Sequence, residues 1–246
     1  MKKSILIKAI LTSFLMVFIV FMATSEVMSE TVTVDSVHGY YIGDGGEFTL
    51  YPSLGLQGVL GGYVQGVTKN IGAGAPNFES FCVEYHEDVN PNGGRYTAVL
   101  NNKAINGGVG PGGDPISKGT AYLYHEFQNG TLSGYNYTPG NGRPFSAGAL
   151  QDTIWWLENE IGDPGDENPF RNAVISMFGS KLGAKEDNNG LYPVSVLNLY
   201  DLRNGGLRQD LLVCDPIHTP EPATMLLLGS GLLGLAGLAR KRFRKQ

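Results

Sequence analysis

Phe78-Glu79-Ser80-Phe81-Cys82-Val83-Glu84-Tyr85 is bounded by Pro76-Asn77 on one side and Asn90-Pro91-Asn92-Gly93 on the other, with Arg95 to Leu100 beyond. A bulky, aromatic-rich run between turn residues predicts a strand, and two such runs across a Pro/Asn/Gly turn predict a hairpin or meander. Outward from this stretch, Glu47 to Tyr51 alternates before Pro52, and Val194 to Leu199 and Leu211 to Cys214 read as further strands. The stretch between reads differently. Ser117 to Gln128, with Tyr122, Leu123 and Phe127 as its apolar set, stops at Asn129-Gly130 as a helix does. Gly148 to Glu160 carries Leu150, Ile154, Trp155 and Leu157, with Ile161 beyond, at three- and four-residue spacing. Pro169 to Leu182 opens with Asn168 as cap and ends at Gly183. Asn129 to Ser146, rich in Gly, Tyr and Pro, reads as a loop. Strands, then helices, then strands predict an α+β domain. Its sheet is mainly antiparallel, sandwich or barrel-like, with a helical insertion of about three helices.

The chain ends carry export signals. Lys2, Lys3 and Lys8 precede an apolar run from Ala9 to Ala23, followed by small residues at Ala23, Ser25 and Ser29. This is the layout of a secretory signal helix over residues 1–25, with cleavage as late as residue 29. At the other end Pro220-Glu221-Pro222 leads into an uncharged run, residues 223–239, and then the cluster Arg240, Lys241, Arg242, Arg244 and Lys245. An apolar helix needs roughly 17–25 residues to span hydrocarbon, so 223–239 is expected to cross the membrane, with residues 240–246 held cytoplasmic. Motif, span and basic stop in this order resemble the PEP-CTERM sorting signal of Gram-negative bacteria. The resemblance implies an exosortase-type partner and delivery to the cell envelope, outer surface or extracellular matrix, with a membrane anchor before processing.

Between these ends, residues 26–215 are long enough for a domain with a sizeable core. The whole chain carries a formal charge of −5. Setting aside three signal lysines and five tail cations leaves ten cations, and setting aside Glu221 leaves twenty-two anions, so the exported part carries about −12. So acidic a domain is not expected to bind nucleic acid or anionic lipid. Glycine, at 35 of 246 residues, favours turns and strands over a helical bundle.

The two cysteines are Cys82 and Cys214. An exported protein permits a disulfide between them. Cys82, however, sits in Phe81-Cys82-Val83, and Ala149-Leu150-Gln151-Asp152-Thr153-Ile154-Trp155-Trp156 follows sixty-nine residues after it. Here the chain resembles the thioester domains of bacterial surface adhesins, with an aromatic-Cys-apolar strand motif and an apolar-Gln-x-x-Ile-Trp helix motif. The resemblance implies that the Cys82 thiol attacks the Gln151 carboxamide, expels ammonia and leaves an internal thioester. It departs from the family pattern at Thr153, where Ala is usual, and at Val83, where Trp is frequent. A thioester survives in water only within a dry slot, and Phe81, Trp155 and Trp156 suit its walls. Backbone N–H groups on the first turn of the Gln151 helix are expected to face the developing oxyanion. Capture of an amine on a surface or matrix component would then fix the protein covalently.

Plainer readings stand beside this one. Cys82 also fits a buried core thiol, and the two tryptophans fit packing positions of an amphipathic helix. A cysteine hydrolase is disfavoured, since Cys82 and His86 on one strand would lie about 13 Å apart. His86 and His125 remain candidates for acid/base help in thioester formation. Asp163-Pro164-Gly165-Asp166-Glu167-Asn168 has oxygen ligands without the spacing of a calcium loop, so no metal is expected. No phosphate-cradling glycine motif is present, and no cofactor is expected. The expectation is single-use covalent attachment rather than turnover, or a noncovalent structural or carbohydrate-binding matrix role.

Overall fold

A computed structural model describes residues 30–43, 45–60, 68, 70, 71, 75–105 and 112–214. The expected signal segment, the 223–239 span and the basic end lie outside the described residues. Among those described, no helix is long and apolar enough to cross a membrane.

Six strands form one sheet: β1 (Thr31–Asp35), β2 (Gly46–Pro52), β3 (Phe78–Phe81), β4 (Asn92–Asn101), β7 (Val194–Asp201) and β8 (Leu207–Cys214). Every pairing is antiparallel, and the spatial order is β3-β2-β1-β4-β7-β8. A short ribbon, β5 (Lys103–Ala104) with β6 (Asp114–Pro115), stands apart. The two edge strands of the large sheet approach each other. Val83 N donates to Asp210 O at 2.9 Å, Ser80 Oγ donates to Leu212 O at 2.6 Å, and Cys82 bridges Leu211. The sheet is therefore nearly a barrel, with its seam where β3 runs out beside β8.

Strand periodicity sorts the side chains onto two faces. Val32, Val34, Phe48, Leu50, Leu197 and Leu211 belong to one cluster, which also takes Cys82 from the seam. The short helix α1 (Leu54–Val59), capped by Ser53, adds Leu56 to this cluster, followed by Leu60. The alternate residues Phe81, Val83, Val194, Val196 and Leu212 join a second cluster under the helices. Those helices are inserted between β6 and β7: α2 (Lys118–Asn129), α3 (Gly142–Leu157), α4 (Pro169–Phe178) and the single-turn α5 (Lys181–Ala184). Helix α2 is capped by Ser117 and stopped by Gly130 in the left-handed region. Helix α4 starts at Pro169 under the Asn168 side chain.

Three expectations are corrected. The strand at Phe78 does not pair with Arg95–Leu100: β2 and β1 lie between them. The local turn is real, but β1, an alternating Thr-Val-Thr-Val run, takes the pairing surface of β4, with Val32 opposite Tyr96. Helix α3 begins at Gly142, inside the segment that composition reads as a loop. A buried ion pair holds this early turn, with Arg143 Nε donating to Glu47 Oε1 and Oε2 on β2 at 3.1 and 3.0 Å. The third helix ends at Phe178, because Gly179 turns left-handed (φ 76°), and α5 restarts after it.

Candidate functional site

Strand β2 begins at Gly46, opposite Phe81, so the next residue of β3 has no strand to pair with on that side. The Gln151 side chain takes the place. Cys82 N donates to Gln151 Oε1 at 2.9 Å, and Gln151 Nε2 donates to Cys82 O at 2.8 Å. A carboxamide thus stands in for one peptide unit of a ladder, satisfying both main-chain groups of a buried residue. Gln151 is 1% exposed and Cys82 is 2% exposed. Gln151 lies in the third turn of α3, not at its start. The N–H groups around it are committed to the helix ladder, so the expected oxyanion donors of a first helical turn are not available there. The donor already on Oε1 is the Cys82 N–H instead.

The thiol belongs to the interior cluster and lies beside Gln209 of β8. Burial pushes it well above the usual thiol range, with the Gln209 side chain opposing. Gln209 also clamps the chain after Cys82: its Nε2 donates to Glu84 O at 2.8 Å and Glu87 O at 2.9 Å, and its Oε1 accepts from Glu84 N at 3.3 Å. Cys214 sits elsewhere. Cys82 is opposite Leu211, and three residues further along β8 the alternation turns Cys214 to the helix-side cluster. The two cysteines are thiols on opposite faces of the sheet, so the disulfide is not formed.

Gln151 lines a cleft of about 330 Å³, together with Ile42, Gly43, Gly45, Gly46, Tyr85, Gly148, Asp152, Trp155 and Ile161. Of the three aromatics expected as walls, Trp155 is the one that lines it. Phe81 turns under the helices, edge-on to Phe127 at 5.1 Å, and Trp156 joins the same cluster beneath the Lys185 ammonium. Tyr85 stands edge-on to Trp155 at 4.9 Å. A Cβ on Gly45 would come within 2.5 Å of the Trp155 ring and 2.8 Å of Gln151 Cγ, so the approach to the carboxamide requires glycine. Thr153 is buried, with its hydroxyl in hydrogen-bond reach of Ala149 O and Asn168 Oδ1 at 2.9 and 3.0 Å. Its departure from Ala serves the joint between α3 and α4, away from the cleft.

The histidines lie outside this arrangement. His86 is exposed and meets the Tyr85 ring edge-on. His125 is on the outer side of α2, beside Glu126 at 3.4 Å and the Tyr192 ring. The carboxylates of the acidic loop are taken by cations: Asp163 accepts from Arg171 at 2.7 Å and from Lys181, and Asp166 pairs with Arg171 at 2.6 Å. Among the described residues no group of three or more His, Cys, Asp or Glu is arranged to hold a metal.

Sequence reasoning missed the groups that frame the site: Gly45, Tyr85, Gln209 and a set of carboxyls at the seam. Burial, with Glu160 alongside, pushes Glu84 up to about 9. Burial, with Asp210 and Glu160 alongside, pushes Glu87 up to about 8. Both therefore hold protons in the folded protein at neutral pH and lose them when unfolded. The folded state binds more protons between the ordinary carboxylate range and pH 8–9, so stability falls as pH rises through that window. The thermal midpoint is expected to drop by roughly 5 °C between pH 6 and pH 9. Glu84→Gln should flatten that slope; an unchanged slope in the variant would assign it to other groups.

Residues 218–242 match the model of the PEP-CTERM protein-sorting motif. The match contains Pro220, Glu221, Pro222, Arg240, Lys241 and Arg242 and lies outside the described residues. It implies an exported protein, a membrane-anchored precursor in the cell envelope that an exosortase recognises and sorts. No curated protein and no solved structure matches the chain.

Proposed function

We propose that the exported domain is an adhesin-like attachment module of the cell surface or biofilm matrix, in which Cys82 and Gln151 form a thioester that captures an amine. The reciprocal hydrogen bonds between the Gln151 carboxamide and the Cys82 main chain carry this reading. They hold the carbonyl to be attacked one hydrogen bond from the residue that bears the nucleophile. The thiol belongs to the interior cluster, and attack proceeds with rotation about the Cys82 Cα–Cβ bond. Sulfur then adds to Cδ, the oxyanion forms on Oε1 under the Cys82 N–H, and the C–N bond breaks. Nε2 leaves as ammonia, carrying off the thiol proton.

The purified mature domain should be lighter than its sequence mass by one ammonia and resist alkylation at Cys82. Methylamine should restore the thiol and add at Gln151. A full sequence mass with Cys82 freely alkylated after denaturation would end this reading. One observation favours a second: the thiol is buried, and burial holds it protonated. In that reading Cys82 and Gln151 are a structural lock in a noncovalent matrix protein.

A further inference from the structure

The stretch after β3, Glu84–Asp88, is fastened by side chains rather than by a strand ladder. Glu84 N donates to Gln209 Oε1 at 3.3 Å, and Tyr85 N donates to Glu160 Oε2 at 3.1 Å. Gln209 Nε2 donates to the carbonyls of Glu84 and Glu87 at 2.8 and 2.9 Å. The stretch carries Tyr85, whose ring lines the cleft over Gln151 and stands edge-on to Trp155. Beneath it the chemistry is one-sided. Glu84 is 2% exposed, and its Oε2 and that of Glu87 are buried without hydrogen-bond partners among the described residues. The charged neighbours acting on Glu84 are Glu160, Glu87 and Asp210, and those acting on Glu87 are Asp210 and Glu160, all acidic. Asp210 is held by Ile105 N at 2.6 Å and Asn198 Nδ2 at 2.8 Å. Arg208 of β8 feels Asp88 but pairs with Asp201 at 2.9 Å, and His86 is exposed against the Tyr85 ring.

We infer that Glu84–Asp88 is a pH-operated strap: ionisation of the carboxyls beneath it frees it from Gln209 and Glu160 and takes the Tyr85 wall off the cleft, while the six-stranded sheet stays folded. Protonated carboxyls can lie side by side, whereas ionised ones repel strongly where water is scarce. A segment tied at a few points opens more readily than a sheet ladder. Burial and the acidic neighbours push Glu84 up to about 9 and Glu87 up to about 8 in the closed strap. Opening hydrates both and returns them towards the ordinary carboxylate range. The closed strap therefore holds protons that the open one loses, and closure weakens as pH rises from that range towards 8–9. The device needs no thioester, because the bonds it breaks are those of the main chain after Cys82.

Amide hydrogen exchange of the purified mature protein, resolved by residue and corrected for the intrinsic rate, tests this at pH 6 and pH 9. Protection of the Glu84 and Tyr85 amides should fall by roughly tenfold or more between the two. At pH 9 it should lie at least about a hundredfold below that of the β4–β7 ladder and respond little to low urea, the mark of a local opening. Glu84→Gln cannot ionise and should shrink the fall. Glu87→Gln, at a half-buried position, should do the same and serves if the first variant does not fold. Strap amides as well protected as the ladder at pH 9, or with the ladder's full urea dependence, would mean that the stretch opens only with the whole domain and would overturn the inference. Protection that does not change with pH, or a fall of the parent's size in the variants, would overturn it as well.

Discussion

Replacing Arg143 by methionine should destabilise the domain by about 3–5 kcal/mol, because it strands buried carboxylate groups without their cation. The guanidinium donates to both Glu47 oxygens, at 3.1 and 3.0 Å, and to Tyr137 O at 2.5 Å, and it lies 4.2 Å from the centre of the Tyr40 ring. Tyr135 donates its hydroxyl to the same carboxylate. Glu47 and Glu79 are both wholly buried, and Glu47 is pushed up to about 7 by burial, with Arg143 opposing. Without Arg143 the glutamate protonates, or the early turn of α3 lets go of β2. A loss of this size is a large share of the roughly 5–15 kcal/mol that holds a typical domain together. Urea unfolding of the single variant and of Arg143→Met with Glu47→Gln checks the cause, since the double change should recover part of the loss. A single variant within about 1 kcal/mol of the parent would mean the pair contributes little beyond what a buried apolar contact would.

Gln151→Leu should cost about 2–5 kcal/mol, through a different mechanism. Leucine fills much of the same space but leaves Cys82 N–H and Cys82 C=O buried without partners, each worth about 1–3 kcal/mol. Cys82→Ala should cost less, because the main-chain bonds from Gln151 remain and only the thiol contacts are lost. This ordering follows from the ladder role of the carboxamide alone and does not depend on whether a covalent bond forms. Equal losses in the two variants, measured by chemical denaturation, would show that Gln151 stabilises through the cysteine side chain and not through its backbone.

The parts of the fold legible in the sequence are those fixed by short-range chemistry. Ser117 and Gly130 bound α2, Asn168 and Pro169 start α4, alternation marks β2, and apolar runs mark β7 and β8. What was not legible depends on partners far along the chain. The first two turns of α3 read as loop because Gly142, Pro144 and Gly148 are poor helix formers; Arg143 anchors them to a residue 96 positions away. The sheet order was hidden because a hairpin is a local inference, while β1 pairs β4 across some sixty residues, with Thr31 opposite Thr97. At the site, sequence brought Cys82 and Gln151 to notice through a resemblance. The clamp by Gln209, 125 residues from Glu84, leaves no local pattern to read.

The seam between β3 and β8 has a bearing on the order of events during biosynthesis. β8 ends at Cys214, just ahead of the sorting motif at 218–242, and is the last of the described strands to leave the ribosome. Gln209, Asp210, Leu211 and Leu212, which engage the chain around Cys82, all arrive with it. Until then the chain around Cys82 lacks its Leu211 bridge and its Gln209 clamp, so the surroundings of the cysteine are completed last. A product truncated before Gln209 would leave the main-chain groups of Glu84 and Glu87 without this clamp.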